Sequence, residues 1–426
     1  MRSSGVLWFV VSLTVPTLVL EAEGASREQA ASAPQAAGQE TPKKKDDHSH
    51  PAHGKAEPAT GEKGIIPKAI PIPGTDLTLT IGGYAKVDFI QDFSGIGNAF
   101  DFQTNSIPAE GTSAAEESGR STIHARETRV SLDLRATEKG PQGKFRVFVE
   151  GDFYGDGNAF RLRHAFGEFA GLLGGQTWST FQDISARPLT IDFEGPDGEV
   201  FVRQAMIRYT HALSPQWSWA VAVENPSPQF SVPSSLQGVA RSSAPDFPAF
   251  VRYQTKRGHA QVAGILRQLR FAGGQGVSNV SEVGWGVNSS FTVKTFGQDE
   301  LQGMFVIGDG VARYIESLGG QNVDAVLTAD GELTTLRSRA FVLGHTHHWL
   351  KNLRSGLSYS SSDVEGIPAE AGTAIEGTTD VRGNLIWTPY HLVDIGGEVL
   401  WGRRENRNGT SGDAWRGQFA LIFHFN

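Results

Sequence analysis

The chain has 426 residues, no cysteine, 51 glycines, 10% aromatic residues and a formal net charge of −8. Zero cysteine excludes a disulfide-stapled scaffold and suits an exported chain. The negative balance gives no overall attraction for anions, nucleic acid included. Beyond the first 20 residues no segment reads as a hydrophobic helix, so a place in a membrane would have to be taken by strands.

Residues 1–25 read as a secretory signal peptide: Arg2, an apolar run from Gly5 to Leu20, and the small-residue exit Ala22-Glu23-Gly24-Ala25. The run is shorter than the roughly 20 residues of a spanning helix, which weighs against a retained anchor. Residues 26–75 are low in complexity, with Lys43-Lys44-Lys45-Asp46-Asp47 and scattered prolines. They are expected to form a disordered periplasmic tail. His48, His50 and His53 have metal-ligand chemistry, but a flexible polar tract accounts for them more simply, and no metal or other cofactor is expected.

From Asp76 to Asn426 a period of two takes over. At the end of the chain Trp415, Phe419, Leu421, Phe423 and Phe425 share one parity, while Arg416, Gln418 and His424 share the other. That is the side-chain repeat of a strand with one apolar and one polar face. Leu77–Phe89 opens the series. Residues 122–135 set Val130, Leu132 and Leu134 against Glu127, Arg129, Asp133 and Arg135, and 144–154 set Val147 and Val149 against Arg146 and Glu150. Segments 217–225, 283–294 and 375–388 repeat the pattern.

Short turns (138–141, Leu173–Gly175, 214–216, 256–258, 297–299, 350–352, 389–391) alternate with longer connections (94–119, 182–198, 226–246, 272–280, 309–332, 363–372, 404–412). Counting Gln176–Thr180 as a brief strand gives sixteen. The fold class expected is all-β: a 16-stranded antiparallel transmembrane β-barrel over 76–426, with both termini periplasmic and an aqueous channel. Two soluble sandwiches would not explain aromatics at the strand ends. Arg203 and Arg208 differ in parity, so a bulge between them is expected to turn both inward. Residues 333–349 leave Phe341/Leu343 and Val342 competing for the outer face. Glycine-rich stretches are read as turns.

No catalytic motif is present, so no enzyme activity is expected. His345, His347 and His348 beside Trp349 read as an interfacial girdle in preference to a metal site. Charge is informative by its distribution: from residue 76 onward there are 24 Arg and 6 Lys. A guanidinium stays charged and matches a carboxylate bidentately. Arg129, Arg146, Arg161, Arg163, Arg203 and Arg382 are the candidate pore-lining, solute-binding residues. On the side of the longer connections, which also has the short 155–158, the third of eight is 182–198, and it is expected to fold inward as a constriction loop bearing Arg187, Asp192, Glu194 and Asp197. The competing view pairs these arginines with Glu127, Asp133, Glu150 and Asp380 as a structural ladder in a non-selective or mainly structural barrel.

Several stretches carry a family resemblance: Ile81-Gly-Gly-Tyr84-Ala-Lys86, Ala125-Arg126-Glu-Thr-Arg129, Glu150-Gly-Asp152, Phe160-Arg-Leu-Arg-His164, Gly175-Gln-Thr-Trp-Ser179, Phe193-Glu-Gly-Pro196, Val202-Arg-Gln204 and Gly308-Asp-Gly310-Val-Ala-Arg313-Tyr314. Together they resemble DcaP-like outer-membrane porins over about residues 77–426. The resemblance implies a sixteen-stranded homotrimer in the outer membrane of a Gram-negative bacterium, passing small anionic solutes, dicarboxylates among them, with outer-membrane lipid as its other partner.

Overall fold

A computed structural model describes residues 69–117, 119–136, 145–366 and 372–425. The signal segment, the tail up to residue 68 and the turn at 138–141 lie outside the described residues. One sheet closes into a barrel of sixteen antiparallel staves. They are β1 Leu77–Asp92, β2 in two pieces (Ser121–His124 and Arg129–Ala136), β3 Phe145–Asp152, β4 Arg161–Phe169, β5 Leu172–Trp178, β6 Arg203–Ala212, β7 Trp217–Glu224 and β8 Phe247–Thr255. The series continues with β9 Gly258–Gly273, β10 Val280–Lys294, β11 Glu300–Asp309, β12 Arg337–Leu350, β13 Leu353–Val364, β14 Ile375–Tyr390, β15 Val393–Asn406 and β16 Ser411–His424.

Closure comes from β1 against β16, from Tyr84↔His424 to Asp92↔Arg416. Closing the sheet removes the edge that an open strand would present to lipid. Ile70 and Pro71 add a short pairing to Leu79 and Thr78, so the last residues of the tail already belong to the sheet.

Alternation explains the strands. In β1, Val87 and Phe89 face out while Lys86, Asp88 and Ile90 are buried inside. Trp217 stacks near Tyr253 at the short-turn end, joined by exposed Trp349, Trp387 and Phe423. Trp285, Trp401 and Trp415 ring the long-loop end. These are the two aromatic girdles of a lipid-facing barrel.

Three local expectations need correction. The turn between β4 and β5 is Ala170–Gly171, both with positive φ (50° and 85°), and Leu173–Gly175 lies within β5. Gly171, not the Gly174–Gly175 pair, takes the left-handed position of a two-residue hairpin. Pairing of Trp178↔Arg203 through Leu172↔Tyr209 is regular, so there is no bulge between Arg203 and Arg208, and the two keep opposite parity. Arg208 goes with inward Gln204 and Met206, and Arg203, at the first position of the strand, with outward Ala205 and Ile207. The register shift falls instead between Glu150 and Gly151, opposite Arg163, and it lets Arg163 and His164 both be buried. In β12, Phe341 and Leu343 face out and Val342 lies inside.

The interior is not an open tube. The connection after β5 (L3, residues 179–202) and that after β11 (L6, residues 310–336) both fold into it. Phe181, Val200, Tyr314, Ile315 and Leu318 from these loops pack against Ile265, Met304, Val306 and Val342 of the wall. This dry core fills the β9–β13 side of the lumen, and the space beside it is lined mainly by β1–β8.

Candidate functional site: the constriction

L3 runs along the inner wall as a strap, pinned at successive points. Its root is Asp183, whose carboxylate accepts from Ser185 N, His259 Nε2 (2.7 Å) and Ser290 Oγ (2.7 Å), with Arg252 alongside. Burial alone would raise Asp183, but the hydrogen bond from His259 and the Arg252 charge hold it at about 2. Farther along, Asn384 Nδ2 donates to Leu189 O (2.8 Å), Lys86 Nζ to Ile191 O (2.6 Å), and Ile191 N and Asp192 N both donate to Glu398. Asp192 meets Arg382 at 3.2 Å and Arg416 at 3.9 Å, and also accepts from Phe102 N of the first long loop. Asp197 N donates to Asp380 (3.0 Å). On the return leg L3 joins L6 through Val200↔Ile315, Phe201 N→Tyr314 O (3.1 Å) and Glu316 N→Glu199 O (3.0 Å).

The wall accommodates the strap with lumen-facing glycines. A Cβ on Gly344 would collide with Pro188, one on Gly396 would lie 2.6 Å from Ile191 Cδ1, and one on Gly356 would lie 2.9 Å from Leu189 O. These glycines are docking places within strands and not turns.

Arg382 therefore works behind the strap. Its side chain is 0% exposed and packed among Asp380 (2.6 Å), Asp192 and, at 4.0 Å, Asp197. Desolvating a guanidinium is compensated only by such close, hydrogen-bonded carboxylates.

The other arginines meet on the far side of the route, on β2–β6. Arg129 approaches Glu127 (3.6 Å) and Glu150 (4.0 Å), Arg163 bonds Glu150 and Asp152, Arg161 chelates Asp152 with Nε and Nη2, and Arg146 does the same to Asp133. Most of the expected cluster is thus brought together, and much of it is internally neutralised. Arg203 Nη1 and Arg208 Nε are the exceptions: both are buried without a hydrogen-bond partner, and neither arginine makes an ion pair among the described residues. Arg203 instead lies over the Trp178 ring at 4.7 Å.

Phe193, at the tip of the strap, stacks on Tyr154 (4.2 Å) and lies under Arg161 and Arg163, each 5.4 Å from its ring. Arg187 curls back to the same tip, donating Nη2 to Phe193 O (3.1 Å) and Glu194 O (2.8 Å), with Glu199 2.9 Å from its Nε. Glu194 sits against L6. Burial and the neighbouring Asp192 raise its carboxyl, and burial with Glu194 alongside raises Glu316 well above the usual range.

Two cavities flank this arrangement. One of about 560 Å³ opens toward the short turns and is lined by Arg129, Arg146, Arg163, Trp178, Arg187 and Arg208 among others. One of about 270 Å³ lies on the long-loop side and is lined by Gln103, Glu194, Phe201, Arg313 and Glu316.

His345, His347 and Trp349 share the outward face of β12, with His347 bonded to Asp299 at 2.7 Å. Among the described residues no group of three or more His, Asp or Glu is arranged for a metal ion.

A sixteen-stave barrel crossed by an inward third loop is the build of a porin, and the family model of the DcaP outer membrane protein matches residues 66–423. The chain belongs to the DcaP outer membrane protein family. It is similar to the crystal structure of the outer membrane channel DcaP of Acinetobacter baumannii, with TM-score 0.72 and 24% identity over 82% of this chain and 97% of that one. The anion-selective porin from Comamonas acidovorans matches with TM-score 0.55 and 12% identity over 82% of this chain and 100% of that one. Salmonella typhi OmpF matches with TM-score 0.51 and 10% identity over 82% and 98%. No curated protein sequence matches. The DcaP-family chain is thus an outer-membrane channel by family and fold.

Lys86, Asp152, Tyr154, Phe193, Arg208 and Glu398 join the site although the expected set omits them. Lys86, Glu398 and Arg208 are polar residues at inward positions of otherwise regular strands, and the glycines at inward positions beside them were the available signal that a loop lies there.

Proposed function

We propose that this DcaP-family porin passes small hydrophilic solutes by diffusion and favours small organic anions, dicarboxylates among them, through its arginine-lined constriction. The observation that carries the reading is Arg208, which lines the cavity on the short-turn side. Glu127, Asp133, Glu150 and Asp152 answer the arginines of β2–β4 at ion-pair distance, whereas Arg208 makes no ion pair among the described residues and has only Glu168 and Glu224 near it at longer range. An unanswered guanidinium beside a narrow, partly dehydrated route offsets part of the desolvation of a passing carboxylate, weakly enough to let it go. The long-loop end is taken as extracellular and both ends of the barrel strand series as periplasmic.

A homotrimer is part of the proposal. Strands β3–β8 are only 7–10 residues long, against 12–16 in β12–β16. A tilted strand needs about 9–11 residues to cross the hydrocarbon layer. The short wall also carries exposed Phe160 and Leu162 near its long-loop rim, with Ile123 on the adjoining β2, where the tall wall carries Arg337, Arg339 and Arg403 with acidic partners. A second copy suits the short apolar wall better than lipid headgroups do.

The second reading, a non-selective barrel in which arginines serve as ladders, draws support from the extent of pairing on β2–β4. Zero-current potential across a bilayer under a KCl gradient separates the two. A chloride preference that carboxylates reduce by block supports the anion channel, and a potassium preference refutes it.

A further inference from the structure

We propose that Phe201 is the gate of this channel: its ring, clasped between Trp178 and the Arg187 guanidinium, closes the septum between the two lumenal cavities. The inference deepens the porin reading by naming the group that limits passage.

Phe201 lines the cavity on the long-loop side, whereas Trp178 and Arg187 line the one on the short-turn side. The three are in direct contact. Ring centroids of Phe201 and Trp178 are 4.6 Å apart, and the Arg187 guanidinium carbon lies 4.6 Å above the Phe201 ring. One side chain thus faces the upper space and its two packing partners face the lower one, so the stack is the partition between them. Cation–π and ring contacts of this kind contribute roughly 0.5–2 kcal/mol each. That is enough to keep a ring seated most of the time and little enough to let it swing.

Arg187 is the half of the clasp with a poorly directed charge partner, its Nη2 being held by the Phe193 and Glu194 carbonyls. Its contact with Glu199 is close but poorly aligned: Arg187 Nε and both carboxylate oxygens of Glu199 are buried without a hydrogen-bond partner. A carboxylate arriving in the lower cavity can offer that guanidinium an aligned, bidentate pair, which the misdirected contact with Glu199 does not. Drawing Arg187 away uncovers Phe201.

The backbone also marks the clasp as built. Gly195 has φ +81°, and a Cβ there would strike both the Arg187 guanidinium and Glu199 Oε1. Gly195→Ala therefore displaces Arg187 together with Glu199, at a strained backbone position, without touching the Phe201 ring.

The test uses the full chain, which has no native thiol. Single-channel conductance of Phe201→Ala should rise about twofold or more, with Phe201→Leu between it and wild type. Gly195→Ala should raise conductance as well, and serves if Phe201→Ala does not assemble. In intact cells a membrane-impermeant thiol reagent should label Gln321→Cys, in the upper cavity, rapidly, and Thr210→Cys, in the lower one, slowly. Adding Phe201→Ala should speed only the second, by about tenfold. Equal labelling of both positions with Phe201 present, or wild-type conductance in both Phe201→Ala and Gly195→Ala, overturns the gate. The labelling takes the long-loop end as outermost, but the conductance needs no orientation. A wild-type pore that prefers potassium would refute the anion reading and leave the gate standing, while unchanged variants would do the reverse.

Discussion

Asp192 and Arg382 lie 3.2 Å apart although 190 residues separate them in sequence. One is near the middle of the inward loop and the other is on the barrel wall. Their contact, with Asp380 and Asp197 at the same guanidinium, makes the loop a fixed part of the wall. Arg382→Met keeps roughly the volume, leaves Asp380 and Asp197 without their cation and leaves Asp192 only Arg416 at 3.9 Å. Breaking a buried pair in this one-sided way costs about 3–5 kcal/mol. The expected outcome is a folded barrel with a loosened strap: a lower heat-modification temperature on gels, and a larger, noisier conductance. Conductance indistinguishable from wild type would show that the strap is held well enough without this cluster.

Selectivity should follow the unanswered charges and not the number of arginines. Arg203→Gln and Arg208→Gln each remove a cation that makes no ion pair among the described residues, Arg208 having Glu168 and Glu224 only at longer range, so each should move the zero-current potential toward cations. Arg146→Gln removes a cation already chelated by Asp133, and its neighbour Arg135 remains on the same carboxylate (2.8 Å). Its shift should be small. All the shifts should shrink at 1 M salt, where screening reaches only about 3 Å. Equal shifts for Arg146→Gln and Arg203→Gln would assign selectivity to total lumenal charge instead.

The strand parity was legible because lipid on one side and water on the other leave a strong period of two. That is why the apolar parity of Val130, Leu132, Trp415 and Phe419 reads as the outer face, where they are found. Loop placement was legible only as an order, third of eight. What pins the strap is long-range: Lys86, Arg382, Glu398 and Arg416 come from strands at both ends of the chain, and no local pattern records their meeting at Ile191 and Asp192. The same holds for Arg382, whose inward parity was read correctly but whose neighbour inside proved to be a loop and not open water. Glycine misled most, since Gly174–Gly175 resembles a turn and lies in a strand.

Glycine also offers a test that spares the charges. At Gly344 the space a side chain would need is filled by the Pro188 ring, which cannot rotate away. Gly344→Val should displace the strap at Pro188 while leaving the barrel hydrogen bonds of β12 intact, because valine favours strands. Overpacking of this kind costs typically 1–3 kcal/mol. The measurement is open-channel conductance alongside circular dichroism of the refolded barrel. Unaltered conductance with an unaltered spectrum would mean that the loop does not rest on this glycine.

The docked loop should also respond to pH, with a sign set by Glu199 and Asp183. Burial raises Glu199 to about 7, partly opposed by Arg187, from an ordinary value of 4.5. A carboxyl whose folded value is raised binds its proton more tightly folded than unfolded. Its contribution is therefore complete below about pH 4.5 and is lost as pH rises through 7, by roughly 3 kcal/mol for a shift of this size. Glu194, Asp197 and Glu316, raised by the same burial, act in the same direction. Asp183 works oppositely: held at about 2, its contribution is present above its ordinary 3.8 and fades as pH falls through 2. The two together put the firmest docking of the strap at about pH 4–5, with progressive loosening through neutrality. Open-channel noise and heat-modification temperature, recorded from pH 4 to pH 9, should both show it. Glu199→Gln should flatten the limb near pH 7 and leave the acid limb in place. A wild-type profile that rises from pH 5 to pH 8, or a Glu199→Gln profile matching it, would show that the carboxyls of the strap do not govern its docking.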